Sequence, residues 1–178
     1  MEEIARLRGQ IARLETRCEE LDREAHRDAL VPVANRRGLV RQLEMLIARR
    51  ERHSVPAALL FVDVDGLKSL NDSCGHSAGD AALIHLAQLM VGAVRKTDLV
   101  ARLGGDEFGI VLDHADETAA METANRLVNS VAGSEFIHRG RPLPLSVAVG
   151  ITVIGEGDTA EAVLERADRE MYRDKAAA

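Results

Sequence analysis

Two apolar runs, Leu99 to Leu103 and Phe108 to Leu112, stand on either side of Gly104-Gly105, and this stretch constrains the fold more than any other. Strand-like segments joined by a glycine pair read as a tight β-hairpin. Glycine reaches the positive φ such a turn needs, and without a Cβ it lets a bulky ligand lie almost against the backbone. Asp106 and Glu107 therefore fall beside a hairpin tip. Neighbouring carboxylates there suit a divalent cation, because hard cations take oxygen ligands. An ordinary acidic hairpin is the alternative.

Composition narrows the classes. The 178 residues, 46% of them hydrophobic, suffice for one core, and the length fits one domain plus an appendage. Aromatics make up only 2%, so the core must be built from Leu, Val, Ile and Ala. Against 23 Lys and Arg stand 29 Asp and Glu, a net charge of −6 that disfavours a nucleic-acid or acidic-membrane binder. A small anionic ligand held through a metal stays compatible. No apolar run is long enough to span a bilayer and no signal segment opens the chain, so a soluble cytosolic protein is expected. Cys18 and Cys74 show neither metal-ligand spacing nor a disulfide framework, as in a reducing compartment.

Residues 1–27 read as a separate element. Ile4, Leu7, Ile11, Leu14, Cys18, Leu21 and Ala25 alternate spacings of three and four between charged residues, the a/d seam of a parallel two-stranded coiled coil. A lone helix of this kind is marginal in water, so the seam needs a partner: a second copy or, alternatively, the chain's own domain. After a loop broken by Pro32, Asn35 can cap a helix to about Arg52 with Leu39, Leu43, Leu46 and Ile47 inward.

Ala57 to Val64 is an apolar run that reads as a buried strand, with Asp63 and Asp65 on one face where it emerges. Buried carboxylates are expensive without compensation, so a metal is the economical explanation for Asp63, while Asp65 can cap the following turn. Gly66 to Asp80 supplies a short helix and a glycine-punctuated loop, and Ala81 to Val94 a helix. Beyond the hairpin, Asp116 or Glu117 opens a helix carrying Met121, Ala124, Leu127, Val128 and Val131, which Gly133 ends. Phe136-Ile137 and Leu143 to Val153 read as strands, the latter aliphatic enough to be central. Asp158 and Glu161 are spaced as a capping box before a closing helix that buries Ala160, Val163, Leu164, Ala167 and Met171. The order predicts an α+β fold: a ferredoxin-like βαββαβ core whose antiparallel sheet carries its helices on one face, preceded by the coiled-coil helix.

Gly104-Gly105-Asp106-Glu107-Phe108, with Arg102 two residues ahead, resembles the motif that names the GGDEF family of diguanylate cyclases. Asp63-x-Asp65-x-x-Lys68-x-x-Asn71-Asp72-x-x-Gly75-His76-x-x-Gly79-Asp80 resembles the family's other signature at the family's spacing. The likeness covers roughly residues 28–178, and the implied fold is that of nucleotidyl cyclases and polymerase palms. One departure stands at the domain entry, where Val31-Pro32 replaces the family's usual Thr-Gly pair.

The resemblance implies condensation of two GTP into cyclic di-GMP. Mg²⁺ (or Mn²⁺) would be held by Asp63, the Val64 carbonyl and Asp106 or Glu107, with Asp106 as the family's proton acceptor and Lys68 stabilising phosphate charge. Asn71 and Asp80 match guanine-reading positions, and His76 lies in the same pocket; Gly66, Leu67, Gly104 and Gly105 line the nucleotide, and Lys175 meets its terminal phosphates. Arg95 and Asp98, with Arg126, resemble the family's inhibitory product site. Since one site holds one GTP, the coiled coil would bring two domains together as a homodimer. A catalytically inactive module that binds GTP or cyclic di-GMP is the rival expectation, and a coiled-coil adaptor a third.

Overall fold

A strand with apolar residues at successive positions needs cover on both faces. Ala57–Val64 is such a strand, buried at every position except Asp63. In the computed structural model, which describes residues 2–177, the elements run α1 (Glu2–Ala25), β1 (Ala34–Asn35), α2 (Arg36–His53), β2 (Ala57–Val64), α3 (Leu67–Cys74), α4 (His76–Ala93), β3 (Leu99–Gly104), β4 (Glu107–Asp113), α5 (Glu117–Ala132), β5 (Phe136–His138), β6 (Arg141–Leu143), β7 (Val147–Val153) and α6 (Ala160–Ala177).

Five strands form one sheet in the order β1-β3-β4-β2-β7, antiparallel except for the parallel β1–β3 pair. The expected βαββαβ core is present as β2-α4-β3-β4-α5-β7. Helices, however, cover both faces of the sheet rather than one. Ala58, Leu60 and Val62 pack with α4 and α5, whereas Leu59 and Phe61 pack with Leu39 and Leu43 of α2 and Val163 and Ala167 of α6. The reason is the continuous apolar run of β2, which leaves no face for water. β7 lies at the sheet edge, not at its centre; covering helices, not flanking strands, account for its aliphatic content. It also starts at Val147, after Pro144, which cannot donate to a ladder.

Two helix starts and one hairpin tip differ from expectation. α4 begins at His76, so the glycine-punctuated segment ends earlier and Gly79 and Asp80 are helical. Thr159 caps α6, its Oγ1 accepting from Ala162 N at 3.2 Å, whereas Asp158 makes no capping box. On α5, Ala120 is buried in place of Met121, which is exposed along with Val128. The hairpin connection is Gly105-Asp106, one residue later than the glycine pair, with Gly104 opposite Glu107 and a register shift after Arg102. Gly104 and Gly105 take φ of 153° and 50° there, values that glycine tolerates.

Asp158 serves a different network. Its carboxylate accepts from Gly155 N at 2.6 Å and from both terminal nitrogens of Arg166 at 3.1 and 2.6 Å. Arg166 also donates to Thr152 Oγ1 at 2.8 Å and the Val153 carbonyl at 3.1 Å, which closes the β7–α6 loop. The Arg166 hydrogen bond, outweighing burial, holds the Asp158 carboxyl below the ordinary carboxylate range. Arg166→Met will lower stability near pH 7 by about 2 kcal/mol, the scale of hydrogen bonds to a charged group. A depressed carboxyl stabilises the fold above its unfolded pKa of about 3.9 and loses that contribution as pH falls through the folded value. The deficit of the variant should therefore shrink between pH 7 and pH 3, as urea titrations at the two values will read.

Candidate active site

The acidic end of the sheet follows from strand register. Asp63 lies directly across the β2–β4 ladder from Glu107, so the two side chains share one face, the face covered by α6. Val64 N donates to the Asp106 carbonyl at 3.0 Å, which fixes the hairpin tip against the end of β2. Asp65 is turned by Ser146, whose hydroxyl donates to Asp65 Oδ2 at 2.8 Å. Burial raises the Glu107 pKa, and the negative charges of Asp168, Asp106 and Asp63 raise it further, outweighing the opposing field of Arg36.

One cation answers these charges. Lys175 Nζ, from the last turn of α6, donates to Asp63 Oδ1 at 2.5 Å and stands 3.5 Å from Asp65 Oδ1. Burial works against its charge, but the hydrogen bond to Asp63 and the fields of both carboxylates prevail and raise its pKa. Among the described residues no group of three acidic, histidine or cysteine side chains is gathered tightly enough to enclose a metal ion. The donor chemistry still fits one: all-oxygen ligands, mutual carboxylate repulsion, and an ammonium already drawn to the position. Mg²⁺ typically keeps several waters and takes one or two carboxylates plus substrate phosphates, so an incomplete protein cage is what it uses.

On the neighbouring side, Gly66 (φ 66°) turns the chain into α3. α3 presents Lys68, exposed, and Asn71, half-buried. Asn71 packs on Gly79 of α4 so closely that a Cβ on Gly79 would fall inside contact of the amide oxygen and 2.9 Å from Cγ. That oxygen, Asn71 Oδ1, is buried without a hydrogen-bond partner among the described residues. His76 and Asp80 are exposed on the first turns of α4. Gly79→Ala favours the helix by up to about 1 kcal/mol but drives Asn71 aside. The expected result is a variant of near-normal stability in which the Asn71 side chain is displaced from its buried position. A melting curve and a crystal structure of the variant read both halves.

Arg95, Asp98 and Arg126 gather around a hollow of about 70 Å³ on the opposite side of the domain. Asp98 is not paired with the Arg95 side chain; its oxygens accept from Arg95 N at 2.8 Å and Asp113 N at 3.1 Å. Arg126 donates twice to the Ala93 carbonyl, at 3.2 and 2.8 Å, closing the C-terminus of α4.

Asp168 also belongs to the acidic site and was not foreseen, whereas Arg102, already noted ahead of the glycine pair, takes a structural role. Asp168 shares a hollow of about 320 Å³ with Glu107 and Arg36; its place seven residues before Lys175 on one helix face was the available signal. Arg102 donates to the Gly105 carbonyl at 3.1 and 2.7 Å and reaches Asp28 Oδ1 at 3.4 Å, joining the domain entry to the hairpin tip. Asp28 also accepts from Leu30 N and Val31 N, so the entry turn is built despite Val31-Pro32.

A βαββαβ sheet with acidic residues on adjoining strand ends places the domain in the nucleotidyl-cyclase class of α+β folds. The sequence model of the family described as "Diguanylate cyclase, GGDEF domain" matches residues 25–178, and the chain belongs to that family. It is 39% identical over 161 residues to DgcE of Escherichia coli (88% of this chain, 14% of that protein). It is 33% identical over 177 residues to the diguanylate cyclase DgcP of Pseudomonas aeruginosa (99% of this chain, 26% of that protein). The chain thus spans a minor part of these relatives. The crystal structure of the coiled coil and GGDEF domain of DgcB from Caulobacter crescentus in complex with c-di-GMP superposes with a TM-score of 0.88 over 98% of this chain and 93% of that one; at 24% identity, the likeness is one of fold.

Proposed function

We propose that this chain is a diguanylate cyclase, which condenses two GTP into cyclic di-GMP and two pyrophosphates. The observation that carries the reading is Asp63 held opposite Glu107, beside the glycine tip and Asp106, with the Lys175 ammonium drawn onto Asp63. Asp63, the Val64 carbonyl and Asp106 or Glu107 would hold Mg²⁺ or Mn²⁺. A divalent cation bound there makes the 3′-hydroxyl more acidic and neutralises charge on the leaving pyrophosphate.

The residues supply the rest. Asp106 or Glu107 takes the proton of the 3′-hydroxyl as the 3′-oxygen bonds to the α-phosphorus of the other GTP; the bond from that phosphorus to the β-phosphate bridge breaks, and pyrophosphate leaves. A second, equivalent transfer closes the ring. Lys68 and Lys175 offset phosphate charge, and Gly66, Leu67, Gly104 and Gly105 let the nucleotide approach the backbone. Asn71 and Asp80, with His76 nearby, read guanine, whose adjacent N1–H and N2–H₂ donors adenine does not offer; polar groups left unpaired penalise ATP.

One domain binds one GTP, so a second copy must face it. Residues 1–27 serve as a dimerising coiled coil and 28–178 as the catalytic domain; the exposure of Ile4, Leu7, Ile11, Leu14 and Leu21 along α1 supports that use of the helix. Arg95, Asp98 and Arg126 form an inhibitory site for cyclic di-GMP, and the cytoplasm, where GTP is plentiful, is the place of action. No helix among the described residues is long and apolar enough to cross a membrane. The test is product formation from GTP and Mg²⁺ by the whole chain and by its Asp106→Ala variant. Product that persists in the variant, or none from the unaltered chain, overturns the reading.

A further inference from the structure

The position of Lys175 is set by the whole β7–α6 interface. Gly150 of β7 has no side chain, and the α6 backbone lies against it; a Cβ there would fall inside contact of the Ala167 carbonyl and Met171 N and 2.8 Å from Met171 Cα. A helix seated this closely cannot slide, and Lys175, one turn beyond Met171, is delivered to the end of β2. There its ammonium makes the only ion pair that Asp63 has among the described residues. A lysine head is a point charge on a flexible four-carbon stem, able to leave one anion for another without moving its helix.

We propose that Lys175 is the resident counter-cation of the unloaded acidic site, and that this makes cation and nucleotide loading interdependent. The inference rests on the metal and nucleotide sites described above. A free divalent cation reaching Asp63 must displace an ammonium that then has like charge beside it and is left with Asp65 alone, 3.5 Å away, in place of two carboxylates. An incoming nucleotide changes the balance, because its phosphates give Lys175 a replacement partner a short swing away. Free cation is therefore bound weakly and the cation–nucleotide pair strongly, and by linkage the same factor acts in both directions.

The experiment is a Mn²⁺ titration of the full chain followed by electron paramagnetic resonance, with and without a GTP analogue carrying a methylene bridge between α- and β-phosphates, which cannot react. The unaltered protein should bind Mn²⁺ more tightly with the analogue present. In Lys175→Met, free Mn²⁺ should bind about fivefold or more tighter than in the unaltered chain, within the usual range of coupling between sites, and the gain from the analogue should fall correspondingly. Lys175→Arg, which keeps the charge, should restore weak free-ion binding. A Lys175→Met protein with unchanged or weaker free Mn²⁺ binding, or with undiminished coupling, overturns the proposal. Asp63→Asn separates the two levels: if it binds Mn²⁺ as the unaltered chain does, the metal-site reading fails, and the proposal with it.

Discussion

On the proposed cyclase reaction, Asp106→Ala will form cyclic di-GMP about a thousandfold more slowly than the unaltered chain, the scale of losing a group that stabilises charge or takes a proton at the reacting centre. Its melting temperature should barely move. The structural service of Asp106 is rendered by its backbone carbonyl, which accepts from Val64 N at 3.0 Å and survives truncation. Its carboxylate makes no hydrogen bond or ion pair among the described residues, and it is one of the charges that push the Glu107 pKa upward. Removing it relieves repulsion rather than breaking a contact. Calorimetry beside a GTP assay separates the two effects: loss of rate with loss of fold would mean that the tip is structural, and retained rate that the chemistry lies elsewhere.

Gly150→Ala will destabilise the domain by about 3 kcal/mol, the upper end of overpacking effects, and lower the melting temperature by about 10 °C for a domain of this size. The backbone of Gly150 is not in the left-handed region, so the cost is steric. The atoms a methyl would meet belong to the main chain of α6 at Ala167 and Met171, which no rotamer change can remove. Gly109 provides the contrast: a Cβ there meets the terminal Cδ1 of Leu39, the end of a flexible side chain that can give way, so Gly109→Ala should cost less. Because α6 carries Lys175, the surviving folded fraction of Gly150→Ala should also lose the Lys175–Asp63 contact. Melting curves of the two variants side by side decide the matter; equal losses would refute the backbone argument.

Much of the site was legible because local rules determine it. Period-two alternation placed Asp63 and Asp65 on one face, and the structure has Lys175 reaching both. Cap chemistry placed Asn35 at a helix start, where it accepts from Gly38 N, and of the two openings offered for α5 Asp116 is the cap, accepting from Ala119 N. Where local signals were ambiguous the reading slipped. A glycine inside a helix looks like a loop until its packing partner is known, and Gly79 is a helical residue without a side chain because Asn71 occupies the space one would need. Asp158 with Glu161 has capping-box spacing, yet Arg166 claims the carboxylate, since a charged fork outbids a backbone amide. An aliphatic strand reads as central whether strands or helices cover it, which is how β7 came to be expected in the middle of the sheet.

The sequence by itself determined that a hairpin turns at the glycines with carboxylates close by, the order of the βαββαβ core and the family, since each of these depends on residue types at short spacing, within reach of turn chemistry and strand or helix period. Only the tertiary structure decided that Lys175 would lie on Asp63, 112 residues away, that helices would cover both faces of the sheet, and that Arg102 would tie Asp28 to Gly105. These are meetings of distant segments. Their partners are chosen by how whole layers pack, and no spacing along the chain records that choice.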